Sequence, residues 1–226
     1  MRRTVLLTLG VLLLARLADA SPIQIDFVGL GKAQVVTLAG VRNVTAYAGE
    51  LDWAWLGGTP NGYGSSFYSY CVDVLNNEQD PQSVAVRSTD DILAPAVLSK
   101  AAWLFDSFAV DIHNTGTSAM AAGLQLAIWE VLYDTNYDLS SGAFWVSMAS
   151  DDALKYGTSY LQALSSAGSG YMSATTTWLD ANPGAGQDQI TLAPVPEPAT
   201  LALLATGLVG LAARRKRFLT PGSSSL

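Results

Sequence analysis

The sequence predicts an α+β fold in which a β-rich part, sandwich-like or barrel-like, packs against a helical part. Three observations predict it. Short apolar segments with period-two spacing fill the first part of the body, helical spacing takes over near residue 90, and the two patterns come in blocks instead of alternating. Of the 226 residues, the first twenty and roughly the last thirty are segments of another kind, which leaves about 170 for a folded body and one core.

The expected strands are Ile23 to Val28, Ala33 to Leu38, Asn43 to Tyr47, Leu51 to Leu56 and Phe67 to Val74. Gly29-Leu30-Gly31, the segment Gly57 to Gly62 and Asn76-Asn77-Glu78 supply turn chemistry between them. A first helix is expected from a cap at Asp90 or Asp91 through Phe105, with Leu93, Val97, Ala101, Leu104 and Phe105 on one face. A second runs from about Ser118 to Tyr133, carrying Met120, Leu124, Ala127, Ile128, Val131 and Leu132 at core spacing. A third begins near Asp151, where Asp151 and Asp152 read as caps and not as metal ligands. The strand signal returns only around Ile190 to Leu192, and no internal repeat is visible.

Composition narrows the function. Hydrophobic residues make up 50% of the chain and charged residues 14%, which excludes disorder over most of its length. Seven of the twelve basic residues lie in the terminal segments, so Ser21 to Ala213 holds five basic against eighteen acidic residues, a balance of −13. Nucleic acid is therefore not an expected partner, because such a surface repels a polyanion. One cysteine, Cys71, rules out an intramolecular disulfide framework, and with one histidine, His113, it leaves too few ligands for zinc. No metal, cofactor or catalytic turnover is expected.

The ends are read by their order of charge and hydrophobicity. Arg2 and Arg3, an apolar run from Val5 to Leu14, and Ala18-Asp19-Ala20 make residues 1–20 a secretory signal. At the other end Pro196-Glu197-Pro198 precedes the apolar stretch Leu201 to Ala213 and the basic cluster Arg214-Arg215-Lys216-Arg217. The prolines keep regular structure from running into the apolar helix, and the basic cluster holds the tail inside. Residues 194–226 thus resemble the PEP-CTERM sorting segment of Gram-negative bacteria. That resemblance implies an exosortase as processing partner, delivery to the cell surface or extracellular matrix, and a short transmembrane helix serving as a transient anchor. The extension Phe218 to Leu226 departs from the usual pattern, in which such chains stop soon after the basic cluster.

Within the body, an aromatic-Cys-aliphatic-Asp segment, Tyr70-Cys71-Val72-Asp73, is followed some fifty residues later by Leu124-Gln125-Leu126-Ala127-Ile128-Trp129. This pair, in an exported chain with one cysteine, resembles the Cys-Gln thioester domains of bacterial surface proteins, and the resemblance extends over most of residues 21–193. It implies that the Cys71 sulfur displaces ammonia from the Gln125 side chain where sheet meets helices. The thioester is then open to an amine on a surface or matrix protein, so the chain acts in adhesion by one-use covalent capture. Trp129 and Tyr133 share the Gln125 face of their helix and, with Tyr68 or Tyr70, are expected to keep water from the bond. Asp73 is expected to support the turn after the strand, and His113 to lie in a loop between two helices. Helix propensity alone suggests that the fold tolerates Gln125→Ala. The competing reading is a non-covalent module for exopolysaccharide that uses Trp53, Trp55 and Tyr63 as exposed aromatics near the glycine-rich loop.

Overall fold

Strand β1 (Ile23–Gly40) is 18 residues long and organises the sheet. It pairs antiparallel with β2 (Val44–Leu56) from Gln24↔Leu56 to Leu38↔Val44. The computed structural model describes residues 22–60, 62–88, 95–167, 171, 173, 175–181 and 186–194. The expected signal segment, the helix caps Asp90 and Asp91, and Pro196, Glu197 and Pro198 lie outside the described residues. The remaining strands are β3 (Ser66–Cys71), β4 (Gln82–Ser88), β5 (Phe144–Met148), β6 (Thr176–Ala181) and β7 (Gln189–Leu192). Their order is β2-β3-β7-β6-β4-β1-β5, and the additional β2–β1 pairing closes the first six into an antiparallel barrel. β5 extends the far end of β1, where Thr37–Gly40 pairs with Phe144–Met148.

The expected α+β class holds: among the described residues seven antiparallel strands pack with three helices, α1 (Pro95–Thr115), α2 (Ser118–Tyr133) and α3 (Asp151–Ser166). Several expected boundaries do not. The two segments on either side of Gly29-Leu30-Gly31 are one strand, because the register shifts at Phe27/Gly29 and Leu30/Ala33 absorb the glycines as bulges. The expected strands Asn43 to Tyr47 and Leu51 to Leu56 likewise merge into the single strand β2, which begins at Val44. There Gly49 (φ +137) sits so close to β1 that a Cβ would fall 2.2 Å from the Lys32 carbonyl oxygen. A turn reading is natural for these glycines, but their use here is close approach and curvature.

α2 is the buried centre of the helical part. Eleven consecutive residues, Ala121 to Val131, are inaccessible, as expected for a helix that is apolar on nearly every side. Thr117 caps it by accepting from the Met120 N–H at 3.3 Å. α3 is capped by Ser150, which accepts from the Ala153 N–H at 3.2 Å. Asp151 and Asp152 occupy its first turn, where they complement the helix dipole, and are not the cap itself. α1 runs ten residues past Phe105, so His113 lies in its last turn and not in a loop.

Glu130 follows Trp129 on α2 and is fully buried. Its Oε1 accepts from the Asp138 N–H at 3.1 Å, while Oε2 has no partner. Burial, reinforced by nearby Asp134 and Asp138, pushes its carboxyl up to about 7. A raised folded-state value means that the associated stability is complete below the unfolded carboxyl's range near 4.5 and is lost as pH rises through about 7. Glu130→Gln should therefore flatten this part of the profile. Urea midpoints at pH 5 and pH 8 should show the wild type losing about 1–3 kcal/mol more than the variant across that interval. Equal losses in the two proteins would show that Glu130 does not titrate there.

Candidate functional site

Cys71 is the last residue of β3, where pairing with β2 has stopped. β2 and β3 pair from Ala54↔Ser66 to Leu51↔Ser69, and continuing that register would set Gly49 against Cys71. On the other side β3 pairs with β7, and the Val72 N–H donates to the Asp188 carbonyl at 3.0 Å. Alternation along a strand then turns the N–H and C=O of Cys71 toward the β2 side. There the Gln125 carboxamide from α2 replaces a strand. The Cys71 N–H donates to Gln125 Oε1 at 2.9 Å, and Gln125 Nε2 donates to the Cys71 carbonyl at 2.7 Å. Both residues are buried, with 3% and 1% of their surface exposed.

The thiol sits in the turn that follows. Cys71 Sγ accepts from the Asp73 N–H at 3.3 Å, and its S–H donates to the Asp73 carbonyl oxygen, 3.2 Å from Sγ. Burial pushes the thiol well above its ordinary value; the Trp129 indole N–H and the Asp73 backbone act in the opposite direction but do not offset it. Trp129 Nε1 is itself buried without a well-formed hydrogen bond, so this donor is held next to the sulfur with spare capacity. Tyr133 Oη accepts from the Val74 N–H at 3.1 Å and donates to the Val72 carbonyl at 3.4 Å, which fixes the chain just beyond Cys71. The Asp73 carboxylate accepts from the N–H groups of Leu75 and Asn76 and from the Asn76 side chain, closing the turn.

A cleft of about 650 Å³ opens onto this pair. Cys71, Gln125 and Trp129 lie on its lining, the β2 residues Val44 to Tyr47 form one wall, and Asn77, Glu78 and Gln79 form the other. Arg42 braces that second wall through the Val74 carbonyl at 2.8 Å and Asn77 Oδ1 at 2.9 Å. Beneath the site runs a buried polar chain. Trp53 Nε1 donates to Ser69 Oγ, Ser69 Oγ to Gln189 Oε1, and Gln189 Nε2 to Gln187 Oε1, at 2.9, 3.0 and 3.0 Å. Gln187 Nε2 continues it to the Asn76 carbonyl at 3.0 Å. Such a chain locks β2, β3, β7 and the second wall to one another.

Not every residue expected at the site is there. Tyr68 and Tyr70 point from the opposite face of β3 toward α1. Tyr68 stacks on His113 with ring centroids 4.0 Å apart, and Tyr70 meets Phe105 edge-on at 5.9 Å. Neither lines the cleft, so Trp129 and Tyr133 are the rings beside the Cys–Gln pair. His113 is turned toward Glu50, 3.4 Å from Nδ1 to Oε2, and has no contact with Cys71 that would suit a base. Trp53 and Trp55, expected as exposed aromatics, are buried at 0% and 7% exposure, and the Tyr63 hydroxyl is also enclosed. Arg42, Glu78 and Gln187 were not anticipated. Gln187 and Gln189, two glutamines beside the one weak late strand, are the sequence signal that could have marked the polar chain.

Among the described residues no group of side chains suits a metal ion, and no helix is long and apolar enough to cross a membrane. The fold is similar to the N-terminal thioester domain of the fibronectin-binding protein SfbI from Streptococcus pyogenes. The identity is 11% and the TM-score 0.45, over 78% of this chain and 95% of that one. A search of curated proteins finds no match. Residues 194–217 match the model of the PEP-CTERM protein-sorting motif. The chain therefore carries a PEP-CTERM sorting motif and is an exported protein associated with the cell envelope.

Proposed function

We propose that this exported protein forms an internal thioester between Cys71 and Gln125 and uses it to attach covalently to an amine-bearing surface or matrix protein. The observation that carries the reading is the double hydrogen bond between the Gln125 carboxamide and the Cys71 backbone, at the inner end of an open cleft. It holds the amide beside the one cysteine of the chain. It also supplies the Cys71 N–H as a donor to Oε1, the oxygen on which negative charge grows when sulfur adds to Cδ.

The step balances as follows. Cys71 Sγ adds to Gln125 Cδ, the Cδ–Nε2 bond breaks, and Nε2 leaves as ammonia with the thiol proton. Burial keeps the thiolate scarce, so ring formation is slow and depends on proximity, for which effective molarities of roughly 10⁵–10⁸ M are attainable. An amine entering by the cleft then displaces sulfur and becomes an amide of Gln125. On this reading residues 21–193 are a thioester domain, 1–20 are removed on export, and 194–226 form the exosortase-processed segment, with a transient anchor and delivery to the surface or matrix. Non-covalent exopolysaccharide binding has lost its platform, because Trp53 and Trp55 are in the core.

Intact mass spectrometry of freshly purified mature protein tests the reading. The expected mass is one ammonia below the calculated value. Methylamine should add its whole mass, leaving an N-methyl amide at Gln125 and a product one CH2 heavier than the calculated value, and release one thiol at Cys71 in equal amount. Full thiol labelling of rapidly acid-unfolded protein, with no mass deficit beforehand, would refute it.

A further inference from the structure

Half of β2 has a strand on one side only. β1 pairs with it from Val44 onward, whereas β3 pairs with Leu51–Ala54 alone. Among the described residues Val44, Thr45, Ala46 and Tyr47 therefore present an unpaired backbone edge, and all four line the cleft that leads to Cys71 and Gln125. At the inner end of this slot the Gln125 carboxamide already occupies the place of a peptide group, making one donor and one acceptor bond to β3. Among the described residues no group pairs with the rest of the slot. An unpaired strand edge is a ready template for an added strand.

Charge indicates what kind of segment would fit. Glu78 lies on the facing wall, is exposed, and makes no hydrogen bond or ion pair among the described residues. Arg42, the cation on the lining, is taken up by the carbonyls of Val74 and Asn76 and by Asn77 Oδ1. The cleft thus offers a carboxylate with no partner among the described residues and a guanidinium whose donors are directed at protein oxygens, within a body whose balance is −13. A cationic side chain is the complement.

We propose that the amine donor is a lysine in an extended segment of a partner protein, which adds as a strand to β2 at Val44–Tyr47 while Glu78 draws the lysine ammonium into the cleft. The proposal rests on the thioester reading above. The lysine loses one proton to solvent and its Nζ then attacks Gln125 Cδ. The Cδ–S bond breaks, the second amine proton passes to the departing Cys71 sulfur, and the product is an isopeptide bond with a free thiol. Strand pairing supplies affinity without demanding a sequence, and the cleft selects the one side chain that reaches its end.

The test compares coupling rates of five probes with freshly purified mature protein: methylamine, Nα-acetyl-lysine amide, a capped pentapeptide alternating threonine and valine about a central lysine, and that peptide N-methylated on alternate residues in each of the two phases. The unmodified peptide should couple about tenfold or more faster than the lysine amide. One N-methylation phase should return it to the lysine-amide rate, and the other should leave it fast, since only one edge of the added strand faces β2. Glu78→Gln should slow the peptide and the lysine amide, and added salt should reduce the difference between wild type and variant. Equal rates for peptide and lysine amide, or indifference to both N-methylation phases, would overturn strand addition while methylamine coupling still upheld the thioester. Failure of methylamine itself would remove the thioester and this proposal together.

Discussion

Gln125→Ala is expected to destabilise the protein by about 2–5 kcal/mol: where the carboxamide is intact it strands the buried N–H and C=O of Cys71 together, and where a thioester has formed it removes the crosslink and the acceptor of the Cys71 N–H. Helix propensity favours alanine at this position, yet that gain of a few tenths of a kcal/mol is small beside two orphaned backbone groups. The variant therefore confounds the loss of a crosslink with the loss of a strand-end cap. Cys71→Ala separates them, since the Gln125 carboxamide and both its bonds remain. Without a crosslink the loss of one buried sulfur should cost about 1 kcal/mol. With it, the covalent loop closed by Cys71 and Gln125 is also lost, worth up to about 4 kcal/mol by analogy with a disulfide. Denaturant midpoints of the two variants beside wild type settle the matter: a Cys71→Ala variant nearly as stable as wild type leaves no energetic room for the bond.

The second large effect is expected at Gly123→Ala, with a loss of about 2–3 kcal/mol. A Cβ there would lie 2.8 Å from both the Ala153 carbonyl oxygen and the Gly157 nitrogen, and 2.7 Å from Tyr156 Cβ. Two of these neighbours are backbone of α3, so α2 and α3 have to move apart. The usual advantage of alanine over glycine within a helix, about 1 kcal/mol, does not compensate. Gly157→Ala is the control. Its tightest neighbour is the terminal Cδ1 of Leu139, at 2.8 Å, which can rotate away, and its nearest backbone neighbour, the Gly123 carbonyl oxygen, is at 3.1 Å and has to give by only a few tenths of an ångström. Thermal unfolding should rank Gly123→Ala well below Gly157→Ala; the reverse order would mean that the α2–α3 contact is not the rigid one.

How much of this was legible follows from the range of each signal. α2 could be bounded at Ser118 and Tyr133 because sixteen residues of helical periodicity stand between a threonine cap and a polar stop. The Cys–Gln pair was legible as two local motifs, and the contact between them needed only that strand and helix pack. Tyr68 and Tyr70 are neighbours of Cys71 along the chain but not in space. Period two sends both to the face opposite Cys71. The merging of strands at Gly29 to Gly31 and at Gly49 was not legible, since a bulge and a turn use the same residue type and only the partner strand decides between them. β5 is five residues long, too short for its own periodicity to register, and it exists because the end of β1 offers an edge. The edge of β2 was invisible for the same reason: it is defined by where β3 stops, which is a property of two strands.

Tension gives the β3–β7 pairing a further meaning. β7 is the last described strand before the sorting segment, and it lies directly against β3, with Cys71 opposite Gln189 and Ser69 opposite Thr191. Suppose the chain is tethered through its C-terminus and a captured partner pulls on Gln125 beside Cys71. The load then enters at the Leu192 end of one strand, and the part that passes from Gln125 to the Cys71 backbone leaves at the Cys71 end of its neighbour. Those ends lie at opposite limits of the paired stretch, so the force runs along the strands and the hydrogen bonds between them are loaded in shear together, with no peeling one at a time. That share of the load would be resisted by β3 and β7 as a unit, while the rest follows the covalent chain from α2 through β5, α3 and β6 to β7.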